Sequence, residues 1–566
     1  MRPSAFYIAV LSLALSAITP SLAATPVAKV HAAEDNLPKQ VLTNQILYQY
    51  LVAEIAVQRG DVALASEAYL DLAKTTRDPR LAKRATEIAL YARQSKAAES
   101  ASRLWLDLDP QSASARQTAT AILLGGGKLD DAKPYLQQLL AGSHDNVGAE
   151  FMHIGAMLGG QADKAAGLAL VQELAQPYPN LPEAHLAVAQ AAARAGKFDL
   201  ALAELDIVHK LKPGWETAAL LRVEVLSRDG KPDGILYAQD YLKRYPEAKE
   251  LRLGYARVLL NQNRLQESRE QFRFLAKAVP TSPEMQLAIG LISLQLNELD
   301  AADAAFKAAL QLNYVDPGSV QIYLGQVAEA RGRDDEAATW YRAVTTGPQY
   351  LLAQVKYAAL LAKKGKLTEA RTYLHDVKVD NDADRVRLIQ AEAELLRAAK
   401  DDTAVYALLG EALATRPDSV ELLYDHAMAA EKLNHLDVLE QDLRHVLKLQ
   451  PDHAHALNAL GYTLADHNVR LNEAQDLLER ALKLAPNDPF ILDSMGWAQY
   501  RLGKLDAAIG YLQKAFAARP DPEIAAHLGE VLWVQGKHTE ARQLWQSSLT
   551  ASPKNQALLE VMTKFK

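Results

Sequence analysis

DSMGWAQYRLGKLDAA (Asp493–Ala508) gathers a serine, two glycines, a tryptophan, an arginine and two aspartates, the residue types of many catalytic sites. Its frame nonetheless recurs. Gly496, Gly503 and Ala508 keep the spacing of Gly529, Gly536 and Ala541 in LGEVLWVQGKHTEA (528–541) and of Gly325, Gly332 and Ala337 in LGQVAEARGRDDEA (324–337). IGLISLQLNELDAA (289–302) repeats it again with Asn297 in the turn. With Gly496 taken as position eight of a repeat, the same phase falls at Ala53, Thr86, Thr120, Gly155, Ala189, Val223, Ala256, Gly290, Gly325, Ala358, Ala393, Ala427, Gly461, Gly496 and Gly529, at intervals of 33 to 35 residues. A fixed period of that length marks an array of supersecondary units.

Apolar side chains recur at helical spacing on both sides of each Gly, Asn or polar turn, as at Leu220, Val223 and Leu226, so each repeat is predicted to be a helix, a turn and a helix. Small residues at position eight, and the alanine twelve residues on (Ala65, Ala98, Ala132, Ala201, Ala302, Ala337, Ala370, Ala508, Ala541), let the two helices approach closely. Pro213, Pro280, Pro417, Pro451, Pro520 and Pro553 close second helices. Asp78-Pro79, Ser282-Pro283, Asp488-Pro489 and Asp521-Pro522 place a capping residue before a first-turn proline.

This pattern resembles the tetratricopeptide repeat over residues 46–554, best from Ser282 to Ser552. The resemblance implies an all-α, right-handed α-solenoid of about fifteen helix-turn-helix units, with divergent repeats over 43–281, well-matched repeats over 282–554 and a capping helix over 555–566. Val405 and Ile235 stand where alanine is expected, which puts repeat geometry in question around Ala393 and Val223.

Length and composition agree with an array. At 566 residues the chain exceeds one compact core, and 49% hydrophobic with 23% charged residues is ordinary for folded protein. The 62 basic and 69 acidic side chains leave −7, without the basic excess of a nucleic-acid binder. Arg2, the apolar run Phe6–Ile18 and Ser21-Leu22-Ala23 read as a signal peptide over 1–23, followed by a flexible tether over 24–42. No later run is apolar enough for a transmembrane segment. The absence of cysteine excludes disulfides, thiolate metal sites and a lipid-modified N-terminal cysteine, so a lipid anchor is not expected. A periplasmic location follows as an expectation.

Catalytic readings fail on spacing. Leu492 precedes Ser494 by two, so the nucleophile elbow is absent. Gly125-Gly126-Gly127-Lys128 lacks the phosphate-loop spacing and reads as a turn in frame with Gly60 and Gly196. Six histidines between His426 and His467 include no metal-ligand pair at helical spacing and read as exposed helix and turn residues. Acid pairs such as Asp334-Asp335 sit where carboxylates favour a helix N-terminus. Neither a catalytic residue, a cofactor nor a metal is expected.

In tetratricopeptide repeats the groove is lined by the first helix of each repeat at positions two, five, nine, twelve and thirteen. The resemblance thereby assigns Asn458, Tyr462, Asp466, Asp493, Trp497, Tyr500, Arg501, Glu530 and Trp533 to a protein-binding groove, as exposed aromatic and charged contacts of the kind that dominate interfaces. The alternative for the two tryptophans is packing between repeats. Leu287, Leu291 and Leu294 are expected to form an apolar patch midway along. LNALGYTLAD (457–466), DPFILDSMGWAQYRLGKLDAA (488–508) and DPEIAAHLGEVLW (521–533) also resemble the C-terminal repeats of a proteobacterial envelope family. Its described member, an outer-membrane lipoprotein, partners a carboxyl-terminal processing protease and helps to deliver peptidoglycan hydrolases to it. That implies a periplasmic adaptor; a scaffold for envelope export or polysaccharide secretion, or an envelope hydrolase with an unrecognised site, are the other readings.

Overall fold

The computed structural model describes Pro38 and residues 41–143, 146–160, 162–228 and 231–565. The expected signal peptide and nearly all of the tether lie outside the described residues. Among the described residues, thirty-one α-helices and the short 3₁₀ turn Leu158–Gly160 are found, and no strand occurs. The helices form fifteen consecutive pairs, from Asn44–Gln58 with Val62–Thr76 to Pro522–Val534 with His538–Ala551, followed by a single closing helix, Gln556–Lys564. The packing divides into two compact parts, Met1–Val315 and Asp316–Lys566. The first holds eight helix pairs; the second holds seven and the closing helix.

The period is visible in the backbone. Seven residues after position eight the chain enters the left-handed region at Gly60, Arg93, Gly127, Gly196, Asn263, Asn297, Gly332, Gly365, Lys400, Asn434, Asn468, Gly503 and Gly536. Positive φ is cheapest for glycine and next for asparagine, which explains eleven of the thirteen residues there, Arg93 and Lys400 being the exceptions. At the turn of the opening stretch, Gly503 N–H donates to Tyr500 O and Lys504 N–H to Gln499 O, both at 2.9 Å. These bonds satisfy carbonyls that the ending helix would leave open.

Close approach is enforced at position eight. All fifteen residues there are buried. A Cβ on Gly496 would lie 2.6 Å from Leu512, one on Gly290 2.5 Å from Phe306 and one on Gly529 2.0 Å from the Trp545 indole. The alanines twelve residues on are buried to 1% exposure or less. Val405 and Ile235 are equally buried, so the two divergent repeats accommodate the larger side chain within ordinary helix pairs, Asp382–Ala398 with Asp402–Thr415 and Glu216–Leu226 with Asp233–Arg244.

Punctuation follows the sequence with one correction. Asp78, Asp488 and Asp521 accept hydrogen bonds from backbone N–H groups of their first turns. Ser282 does not cap: its hydroxyl donates instead to Glu284 at 2.6 Å. A second correction concerns the apolar patch. Leu287 and Leu291 are buried and Leu294 is half-buried, because Pro283–Gln295 buries an unbroken run from Leu287 to Ser293 and is enclosed on all sides.

Candidate functional site

Three successive first helices, Ala454–Asp466, Pro489–Arg501 and Pro522–Val534, carry the nine residues assigned to the groove. The middle helix packs against both others, and its residues from Ile491 to Gln499 are all buried. Position nine of that helix therefore meets neighbours rather than solvent. Trp497 is 5% exposed, which corrects the expectation of an exposed anchor. Its Nε1 donates to Asp466 Oδ1 at 3.0 Å, its ring stacks on His527 at 4.2 Å, and the Arg501 guanidinium lies 5.0 Å from the ring centre. Such aromatic and cation contacts add about 0.5–1.5 kcal/mol each beyond simple burial.

Asp493 and Glu530 are also buried rather than presented, and each is paired, as a buried carboxylate must be. His527 Nδ1 lies 3.0 Å from both oxygens of Asp493. Glu530 Oε1 accepts from Tyr500 Oη at 3.2 Å and from Lys564 Nζ at 2.9 Å. Burial works against a charged His527, yet the Asp493 carboxylate, with Asp466 and Glu530 beyond it, raises its pKa above the ordinary histidine value. Burial, followed by the nearby Glu530, pushes the Tyr500 phenol up to about 12, while burial and the Asp466 and Asp493 charges raise that of Tyr462 further still. Both phenols therefore stay protonated donors at neutral pH.

The accessible part of the cluster is its rim. Arg501 Nη2 donates to the Asp466 carbonyl at 2.9 Å and stands 3.5 Å from its carboxylate, and both side chains keep about a third of their surface exposed. Tyr462 and Tyr500 are half-buried. Asn458 is half-buried, and its Oδ1 makes no hydrogen bond. Trp533 lies apart at the end of the array, stacked on His538 at 4.3 Å with Arg542 over its ring at 4.9 Å. Seven of the nine residues thus belong to one ladder, Asn458 shares a helix with Tyr462 and Asp466, and Trp533 belongs to the aromatic closure formed with Trp545 and Phe565.

Sequence reasoning missed His527 and Lys564, although each stands one repeat, 34 residues, beyond the acid that it pairs. It also misplaced His426, which is buried rather than exposed, with Nδ1 2.6 Å from Asp442 and its ring stacked on Tyr406 at 4.5 Å. A further opening lies in the first compact part, a pocket of about 410 Å³ between first helices Pro182–Arg194 and Glu216–Leu226, lined by Gln190, Arg194, Phe198, Leu220, Glu224 and Arg228. Burial raises the Glu224 pKa there, against the opposing charge of Arg257. Among the described residues no group of three or more His, Cys, Asp or Glu is placed to hold a metal ion, and no helix is long and apolar enough to cross a membrane.

Paired helices with small-residue crossings and cross-repeat ladders define a helix-pair repeat protein. The family model described as tetratricopeptide repeat matches residues 228–283, 287–350, 424–489 and 494–556. A TPR repeat-containing protein of Pseudomonas aeruginosa is 34% identical over 490 residues, covering 86% of this chain and 82% of the relative. The chain belongs to the tetratricopeptide-repeat family. Among solved structures, a thermophilic tetratricopeptide-repeat protein of Thermus thermophilus aligns at 22% identity and TM-score 0.28, covering 31% of this chain and 93% of its own. A chain of the APC/C hetero-tetramer Cut9-Hcn1 aligns at 15% identity and TM-score 0.30, covering 86% and 97%.

Proposed function

We propose that this protein is a non-enzymatic scaffold of the periplasm that presents peptidoglycan hydrolases to a carboxyl-terminal processing protease. The observation that carries the scaffold reading is the accessible Asp466–Arg501 rim, standing over a buried aromatic stack on consecutive first helices. Rigid support beneath exposed charged heads is what a protein-recognition surface requires, because little side-chain order is then lost on binding. The signal-like pattern of Arg2, Phe6–Ile18 and Ser21-Leu22-Ala23 supports export, and the C-terminal resemblance supports the choice of partner.

Affinity capture of the purified protein on envelope extract tests both levels. Recovery of a processing protease and a cell-wall hydrolase is the expected result. Recovery of a polysaccharide synthase or an export channel in their place would transfer the scaffold to an export machine and end the protease assignment.

A further inference from the structure

The helix that opens the array, Asn44–Gln58, is apolar on both sides. One side packs through Ala53 and Ala56 onto its own repeat. At 100° per residue, Leu47, Tyr48, Leu51 and Ile55 fall within an arc of about 100° on the opposite side. All four are exposed, Tyr48 by 69%, and the adjoining Val41 and Leu42 are more than two-thirds exposed. The same arc carries only uncharged polar residues, Asn44 and Gln58, at its two ends. The helix has no Lys or Arg, and its one acid, Glu54, accepts a hydrogen bond from the Tyr69 hydroxyl. The other terminus is more polar: Gln556–Lys564 lays Leu558 and Val561 on the last repeat and exposes Gln556, Glu560, Thr563 and Lys564, with Leu559 as its one exposed large apolar side chain.

A helix that is hydrophobic all round calls for cover on both sides, and the end of a repeat array needs a polar outer face. We infer that the outer face of Asn44–Gln58 is covered by the same face of a second copy of this chain, in a twofold, antiparallel contact. Leu51 is the midpoint of the helix, so antiparallel pairing brings Leu51 to its counterpart at the axis and Leu47 opposite Ile55. It also sets Asn44 against Gln58, two amides that can each donate and accept. A neutral face meets its own copy without charge repulsion. Its one flanking base, the exposed C-cap Arg59, falls short of the row of Lys and Arg by which an interfacial helix holds to a lipid surface. The four face residues together with the adjoining Val41 and Leu42 expose roughly 600 Å² per copy, so their complete burial in the pair amounts to about 1,200 Å², the lower limit of stable specific interfaces.

Light scattering and sedimentation of the purified protein test this. A concentration-dependent dimer is expected, with Leu51→Glu weakening it at least ~100-fold, since two carboxylates would meet at a desolvated axis. Because Leu51 is half-exposed in the single chain, helical circular dichroism should be unchanged. The chain has no cysteine, so Leu51→Cys should form a disulfide-linked dimer under mild oxidation, and Tyr91→Cys, at an 84%-exposed position outside the face, should not. A wild-type monomer at about 100 µM, a dimer that survives Leu51→Glu, or equal cross-linking of the two cysteine variants would each overturn the inference. A monomer that captures a different protein, or buries this face under its own N-terminal residues, would overturn it too.

Discussion

Asp493 and His527 stand 34 residues apart, yet the histidine Nδ1 lies 3.0 Å from both carboxylate oxygens of the aspartate, beneath the stacked indole of Trp497. The contact joins two repeats and carries a pH dependence. Asp493, Asp466 and Glu530 all favour the imidazolium, and together they outweigh its burial, so the folded pKa lies above the ordinary value of 6.5. A group whose pKa is raised by folding stabilises the native state fully below its unfolded pKa, and that stabilisation is lost as pH rises through the folded value. The melting temperature should therefore fall as pH is raised from about 6 to above the folded pKa. His527→Gln should remove that component of the slope. Identical pH profiles for the two proteins would sink the assignment.

Trp497 offers a test of core against surface. Replacement by alanine removes a buried indole from between two neighbouring helices and should cost roughly 3–5 kcal/mol in urea unfolding. Trp497→Phe keeps most of the packing and loses the bond to Asp466, worth about 1 kcal/mol. An alanine variant that unfolds with the wild type would mean that the indole is not held as described.

Glycines separate crossing positions from idle ones. Gly529→Ala puts a methyl 2.0 Å from the Trp545 indole and Gly496→Ala puts one 2.6 Å from Leu512, so each should destabilise by about 1–3 kcal/mol. Gly510 lies inside helix Leu505–Ala518, where an added Cβ would meet no atom within 4 Å. There, alanine should stabilise by roughly 0.5–1 kcal/mol through helix propensity alone. Thermal denaturation of the three variants should rank Gly510→Ala above wild type and the other two below it.

The fold was legible because its determinants are local and repeated. A small residue at most crossings, a left-handed residue seven later and a proline after many of the second helices can all be read at recurring offsets, from Gly496, Gly503 and Pro520 outward. The site was only half legible. Position numbering identifies the helix face of Trp497, but how deeply that face is covered depends on the neighbouring first helices, which no single repeat encodes. Leu287 was misjudged for the same reason. His527 escaped because it occupies position six, outside the usual groove positions, and only its 34-residue offset from Asp493 gives it away.

Arg501 is where stability and recognition come apart. Its guanidinium bonds the Asp466 backbone and stands beside the Asp466 carboxylate, with about a third of each side chain exposed. A pair so exposed contributes at most about 1 kcal/mol. Arg501→Glu should therefore lower the unfolding free energy only slightly and leave the helical spectrum intact. Its effect on binding should be larger, because it reverses the charge at the rim while the stack below stays in place. Partner recovery in the capture experiment should fall roughly tenfold or more, as expected for a central arginine contact, and the residual binding should respond less to added salt than that of the wild type. Asp466→Asn, which leaves an oxygen for the Trp497 N–H, should lower recovery less. Undiminished recovery with Arg501→Glu would move the binding surface elsewhere, and Glu224→Gln in the pocket lined by Arg194 and Arg228 is the next substitution to measure in the same assay.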